Sequence, residues 1–286
     1  WAAAAGVEPA WADPLSDRPL ADDDVLTVDD AIAELAAIHE QLAALPDTHE
    51  ASIAVRFALA DVQRANGFPK GAAQWLDAVR FHLSLLGDAT RAHRIEVTQS
   101  LVSDLWKARE WNDLAAAYRH LIADREAAGE SEAIAALHDR RSLATAVYLA
   151  SDPFTAADEL TELLARLATV AAPTSALNEL QALARVNLTK WLVERVRGED
   201  AVAVSDHIDV SFLYRAGRDV EIEAAIVRAQ ALQLVGRREE ARDVALAAWD
   251  SHGFDDTVPD SAQTALCAEM AAIFGGLHGS EAVVQL

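Results

Sequence analysis

Lysine is almost missing from this chain. Arginine outnumbers it twenty-one to three, and these 24 cations face 46 carboxylates, for a net charge of −22. A field of that sign repels phosphate backbones, which excludes nucleic acid as a general ligand. The preference for Arg over Lys marks a GC-rich, bacterial coding sequence. Cysteine is scarcer still. Cys267 is the one thiol, so an internal disulfide framework and a cysteine-based zinc site are both excluded. It stands in "TALCAEMAAIF", where a buried small hydrophobe is expected. No apolar run reaches the roughly 18–20 residues needed to span a bilayer. No charged n-region with a following apolar stretch marks a signal peptide, so the cytoplasm is the expected location. The chain opens on Trp1 and not on Met, as expected of a segment cut from a longer protein.

Signatures of chemistry are missing too. There are nine histidines, but no H-E-x-x-H and no two histidines four apart. His207 and Asp209 in "SDHIDV" come nearest to a ligand pair. Residues two apart point to different helix faces, so a partly buried structural histidine is expected. Asp22, Asp23 and Asp24 lack the alternation and Gly of a calcium loop and read as a solvated approach to a helix. "GFPKGAA" carries Gly67, Lys70 and Gly71 without the spacing or hydroxyl of a P-loop, and G-x-S-x-G is absent. The expectation is no catalytic residue, no metal, no cofactor and no enzyme.

What is present is alanine. Apolar residues make up 52% of the chain with aromatics only 6%, and just eight Pro and twelve Gly interrupt it. Alanine has the best helix propensity and lets backbones approach closely, so this is an all-α composition. The pattern also repeats. Blocks start at Leu26, Gly67, Arg109, Ser151, Gly198, Gly236 and Leu277; their sixth positions are Ala31, Ala72, Leu114, Ala156, Ala203, Ala241 and Ala282. The steps along that column are 41, 42, 42, 47, 38 and 41 residues. Such periodicity signals stacked supersecondary units.

Each unit reads as a helix hairpin. Helix A lies upstream, as in "ASIAVRFALADVQRAN" and "EIEAAIVRAQALQLV". Gly67, Gly198 and Gly236 fall where helix A should stop, since Gly accepts the left-handed conformation of a C-cap. Helix B then starts, with Thr27 and Thr155 placed as N-caps. Its first inward position is small because the two helices cross there at close range. Positions four and seven residues on carry the apolar stripe: Leu35, Leu76, Tyr118, Leu160, His207, Ala245 and Leu286, then Ile38, Val79, Leu121, Leu163, Val210 and Ala248.

The pattern G-x-x-x-E-A with inward residues at +4 and +7, best seen over Gly236–Ala248, resembles the second half of a tetratricopeptide repeat (TPR). Gly67–Val79 and Arg109–Leu121 follow it, with Trp111 at the family's aromatic turn position. The family's first-helix Gly column is not kept: Ala60, Val102, Ala144, Trp191, Ala229 and Met270 occupy it. The period is nearer 42 than 34, which asks for helices about one turn longer. The resemblance implies an α-solenoid of stacked antiparallel hairpins in a TPR-like right-handed superhelix. About six pairs span residues 27–286, the last one truncated, after a Pro- and Asp-rich linker or strap over 1–26 that carries Trp1 and Trp11. The stretch 171–219 holds the long step and should be distorted or bent.

In such solenoids the A helices commonly line the concave face. Register places Arg64, Trp106, Lys107, Arg141, Tyr148, Arg185, Arg195, Gln230 and Gln233 there as candidate peptide-binding residues. Arginine forks there would grip carboxylates, and the aromatics would hold apolar groups. The Lys and Asn pattern of the family's chaperone-binding carboxylate clamps is not kept, so that activity does not carry over. Three readings follow. The first is a non-catalytic scaffold for a protein or peptide with carboxylate groups. The alternative is a ligand-sensing regulatory module of a larger protein, with a small molecule or peptide in the groove. The third is self-association through the truncated C-terminal repeat near Leu286.

Overall fold

Alanine-rich amphipathic stretches become helices wherever the apolar stripe is continuous, and the reversals between them set the architecture. The computed structural model describes residues 28–43, 49–131, 133–170, 173–252 and 259–278. Twelve α-helices follow in chain order: α1 Val28–Ala43, α2 His49–Ala65, α3 Pro69–Leu85, α4 Arg91–Ala108, α5 Trp111–Ala127, α6 Ile134–Leu149, α7 Pro153–Ala168, α8 Ser175–Glu194, α9 Gly198–Ser205, α10 Arg218–Leu234, α11 Arg238–His252 and α12 Asp260–His278. There is no strand among the described residues. Each helix packs on its neighbours in sequence, with α8 and α10 also touching directly. This is an all-α solenoid of stacked antiparallel hairpins. The even-numbered helices are the A helices, and the odd-numbered ones the B helices.

Five short turns join A to B, and all five close in the same way. In each, an amide just past the helix end donates to a carbonyl five residues back: Phe68 to Gln63 at 2.9 Å, Glu110 to Leu105 at 3.1 Å, Asp152 to Val147 at 3.1 Å, Arg197 to Leu192 at 2.9 Å and Arg237 to Leu232 at 2.9 Å. The residue before each donor is left-handed: Gly67, Arg109, Ser151, Val196 and Gly236. These are Schellman closures, which satisfy carbonyls that the helix end would otherwise orphan. Helix B then starts two residues on, with proline at the first position of α3 and α7, where its missing N–H costs nothing.

Five residues after each left-handed position comes the first inward residue of helix B. Ala72, Leu114, Ala156, Ala201 and Ala241 are all fully buried. Leu76, Leu160, Ser205 and Ala245 follow four residues on, and Val79, Leu121, Leu163 and Ala248 follow seven on. The A-helix positions Ala60, Val102, Ala144 and Ala229, which occupy the family's Gly column, are also buried.

The fourth hairpin departs from the expected register by two residues. Ala201 and Ser205 point inward, while Ala203, His207 and Val210 are exposed. The reason is local. Gly198 does not take the left-handed turn position; Val196 does, and Gly198 is the buried first residue of α9. A Cβ there would come within 2.8 Å of Leu234 and 2.9 Å of Val235, so glycine serves close approach rather than a positive φ. Helix α9 then stops after eight residues, and a 3-10 segment, Val210–Arg215, seats Leu213 against Ala182, Val186, Ala224 and Val227. Residues 171 and 172 apart, the stretch expected to be distorted is this shortened unit.

Two smaller expectations are also corrected. Asp152, not Thr155, caps α7: its carboxylate accepts from the Thr155 amide at 3.1 Å and the Thr155 hydroxyl at 2.6 Å. Cys267 is exposed on α12 and not buried, because Leu266, Glu269, Met270 and Ile273 form the packed side of that helix. Thr27, Trp1, Trp11, Asp22 to Asp24, Ala282 and Leu286 lie outside the described residues.

Left-handed strain is testable because two turns use glycine and three do not. Replacing Val196, a β-branched residue at φ 59°, by Gly is expected to raise the unfolding free energy by about 1 kcal/mol. Gly236→Ala, at φ 79°, is expected to lower it by a similar amount, about 1 kcal/mol. Urea denaturation of both variants checks the pair.

Candidate functional site

The A helices carry polar contacts that join α2 to α4, α6 to α8, α8 to α10 and α10 to α12. Arg64 on α2 forks onto Asp104 on α4, with Nη2 at 2.8 Å from Oδ2 and Nε at 3.1 Å from both oxygens. Asp104 is wholly buried, and the Arg64 Nη1 also holds Asp61 at 2.6 Å. Tyr148 on α6 stacks on Trp191 of α8 at 4.7 Å between centroids and 9° between planes, and its hydroxyl donates to Glu194. Burial, reinforced by Glu194, pushes the Tyr148 phenol up to about 12. Lys190 on α8 pairs with Glu223 on α10 at 2.8 Å. Gln230 and Gln233 on α10 each donate to Glu269 on α12 at 2.8 Å. Glu269 is buried, which raises its carboxyl above the ordinary range while the two amides pull it down.

The remaining candidates are less tied. Trp106 is 46% exposed and meets Trp111 edge-on at 5.5 Å. Lys107 beside it is exposed. Arg141 on α6 is partly buried; its Nε has no hydrogen-bond partner. Burial lowers its guanidinium against the opposing influence of Tyr118 and Glu179. Arg185 donates to the His207 carbonyl at 2.6 Å and so fastens the end of α9 to α8. Arg195 lies over the Phe154 ring, 3.3 Å from its centroid. The two-residue shift in the fourth hairpin explains this last placement. Arg195 is the residue that closes α8, and Lys190 is the α8 residue that reaches across to α10.

The proposed lane is thus brought together in part. Arg64, Tyr148, Gln230 and Gln233 share one face and are each engaged by the following A helix, whereas Trp106, Lys107 and Arg141 keep unused recognition groups. Sequence reasoning missed the partners Asp104, Glu194, Glu223 and Glu269. A signal existed: each lies 33 to 46 residues beyond the residue it holds, about one repeat.

A second feature lies on the B side. An open groove of about 260 Å³ runs between α3 and α5 over Leu101 and Leu105, walled by Lys70, Asp77, Arg80, Glu110, Asp113 and His120. It continues into a wider depression of about 520 Å³ near Phe81, Arg94 and Asp124. Burial, and then Arg80, lower the His120 imidazole. Lys70 and Glu110 bridge the groove at one end. Among the described residues, no group of three or more His, Cys, Asp or Glu could hold a metal ion. No helix there is long and apolar enough to cross a membrane.

No protein-family profile matches the sequence, and no curated protein does either. Solved structures do match in fold. BtubC (BKLC) from P. vanneervenii aligns with a TM-score of 0.54 at 13% identity, covering 82% of this chain and 95% of that one. A variant of the Podosopora anserina kinesin light chain protein with nearly identical TPR-like repeats aligns with a TM-score of 0.51 at 16% identity, covering 71% and 95%. At such identities the likeness is one of fold. In fold, then, the chain is a TPR-like helical repeat protein. Folds of this kind are commonly protein-interaction scaffolds.

Two predictions follow from the contacts between A helices. Arg64→Ala leaves the buried Asp104 carboxylate without its main partner and should cost about 3 kcal/mol in denaturant unfolding. Glu269 has a folded-state value raised above the unfolded one, so its contribution is fullest at acid pH and is lost as pH rises through the raised value. Glu269→Gln should therefore gain more, relative to the parent chain, at neutral pH than at the unfolded carboxyl value; unfolding curves at both pH values check this.

Proposed function

We propose that the chain is a non-catalytic scaffold that binds a protein or peptide along the concave surface lined by its A helices. In this reading Arg64, Trp106, Lys107, Arg141, Tyr148, Arg185, Arg195, Gln230 and Gln233 are the contact residues, and a segment bearing carboxylates is the fitting partner. The observation that carries it is Arg141. A partly buried guanidinium whose Nε has no hydrogen-bond partner, and which Glu179 offsets only in part, is costly, and an incoming acceptor relieves that cost. Trp106, half-exposed one unit earlier and beside Lys107, supplies the aromatic area that dominates interface energetics. The small-molecule alternative has less support. The first groove is smaller than the ~300–1,000 Å³ of typical ligand sites, and both are open clefts lined by mutually paired charges.

The test is thermal stability measured against panels of short acidic peptides and of metabolites. Peptides should raise the melting temperature, and Trp106→Ala with Arg141→Gln should remove the rise. A response to metabolites alone would replace the scaffold reading with the sensory one.

A further inference from the structure

Arg56 on α2 has its hydrogen bonds satisfied by imidazoles in place of carboxylates. Its Nε donates to Nε2 of His39 on α1 at 2.9 Å. Its Nη1 lies 3.1 Å from Nδ1 of His82 and 3.2 Å from the Ala78 carbonyl, both on α3. One side chain thus ties three consecutive helices together. The protonation states follow from the chemistry of the donor. A guanidinium carries N–H groups and no acceptor, so both imidazole nitrogens that face it must be bare. His39 therefore holds its proton on Nδ1 and His82 on Nε2, and both rings are neutral.

The surroundings of His39 favour the neutral ring. Burial lowers its pKa, Arg56 lowers it further, and Glu40, the next residue, opposes them. From α3 the Trp75 ring meets the imidazole edge-on, with 5.3 Å between centroids. The other charges of the packed helices are engaged elsewhere or exposed. On α2, Arg64 holds Asp61 and Asp104; on α3, Arg80 holds Asp77 and Lys70 holds Glu110. Asp29, Asp30 and Glu50 stand exposed in first turns. Helix α1 is also held lightly. Among its described side chains none is buried, whereas α3 buries Ala72, Ala73, Leu76, Val79 and Leu83. An element with few buried apolar contacts is the first to open.

We infer that His39 is a pH-sensitive latch that holds α1 onto α2 and α3, closed while its ring is neutral and released when the ring takes a proton. Protonation puts an N–H where Arg56 needs an acceptor and sets two cations within hydrogen-bond distance. His82 and the Ala78 carbonyl keep the guanidinium from turning away, so relief comes from movement of α1, which uncovers Trp75. The direction with pH follows from linkage. In the opened helix His39 returns to its ordinary value of about 6.5, while closure holds it lower, so the open form takes the proton first. The latch is at full strength above about pH 6.5, weakens as pH falls, and levels off below the closed-state value. None of the contact residues of the scaffold reading belongs to it, so the two stand or fall separately.

The test is amide hydrogen exchange of the full chain across the histidine range, corrected for the intrinsic pH dependence of exchange. Protection of Val28–Ala43 should fall by up to about tenfold per pH unit below about 6.5, the slope of one proton taken up, while α4 to α7 keep theirs. His39→Gln offers an amide oxygen that accepts from Arg56 at any pH, so α1 should stay protected in acid. The unchanged protection of α4 to α7 reports that this variant is folded. Ring-nitrogen shifts of the parent chain supply a readout that needs no variant: at neutral pH His39 should be bare at Nε2. An Nε2-protonated ring there overturns the inference. So does α1 protection that ignores pH, a response of the same size in His39→Gln, or a loss of protection shared by all helices, which is global acid unfolding and not a latch.

Discussion

Everything in this molecule depends on one coupled constraint: a left-handed closure and, five residues later, the first buried position of the next helix. The closures at Gly67, Arg109, Ser151, Val196 and Gly236 are spaced 42, 42, 45 and 40 residues apart. The buried positions Ala72, Leu114, Ala156, Ala201 and Ala241 have the same spacing. Turn and crossing therefore move along the chain as one rigid piece, while the loops and helix ends between them absorb the changes in length. The closure sets the angle at which helix B leaves, and the side chain five residues on meets helix A wherever that angle sends it. Four of the five are alanine, which keeps the crossing close.

Stacking places a second demand on the A helices. A hairpin cannot bury its own faces, so each unit relies on its neighbours, and stability accumulates along one dimension. Here much of that coupling is polar. Arg64 with Asp104, Tyr148 with Trp191 and Glu194, and Gln230 and Gln233 with Glu269 are rungs between successive A helices. Residue types that favour recognition also favour such rungs, since guanidinium forks, phenols and amides satisfy a neighbour as readily as a guest. What separates the two uses is whether a carboxylate stands one repeat away. Lys107 and Arg141 form no such ion pair among the described residues, although Glu179 acts on Arg141 from the next A helix.

Much of the array was legible from residues alone, because its causes are local. Helix propensity, the 3.6-residue stripe and Gly67 and Gly236 are properties of short windows, and they located the hairpins and their crossings. The fourth unit was misread for a physical reason. Gly198 looked like a cap, but its lack of a Cβ serves the approach of Leu234 and Val235, which lie a whole helix away in sequence. Reading it as a cap shifted Ala203, His207 and Val210 into positions that Ala201 and Ser205 occupy. Cys267 was misplaced similarly: an apolar run does not say which of its sides will meet α10.

The sequence by itself determined that the chain is helical, that it repeats about every 42 residues, that its net field is acidic and that small residues mark the crossings. These follow from local backbone preferences and from summed charge, neither of which needs a partner across space. Only the tertiary structure decided which polar side chains are taken and which are left over. Whether Arg64 is a rung and Arg141 is not depends on the angle and offset between consecutive hairpins, and a carboxylate forty residues away comes within 3 Å of a guanidinium only when that stacking is in place.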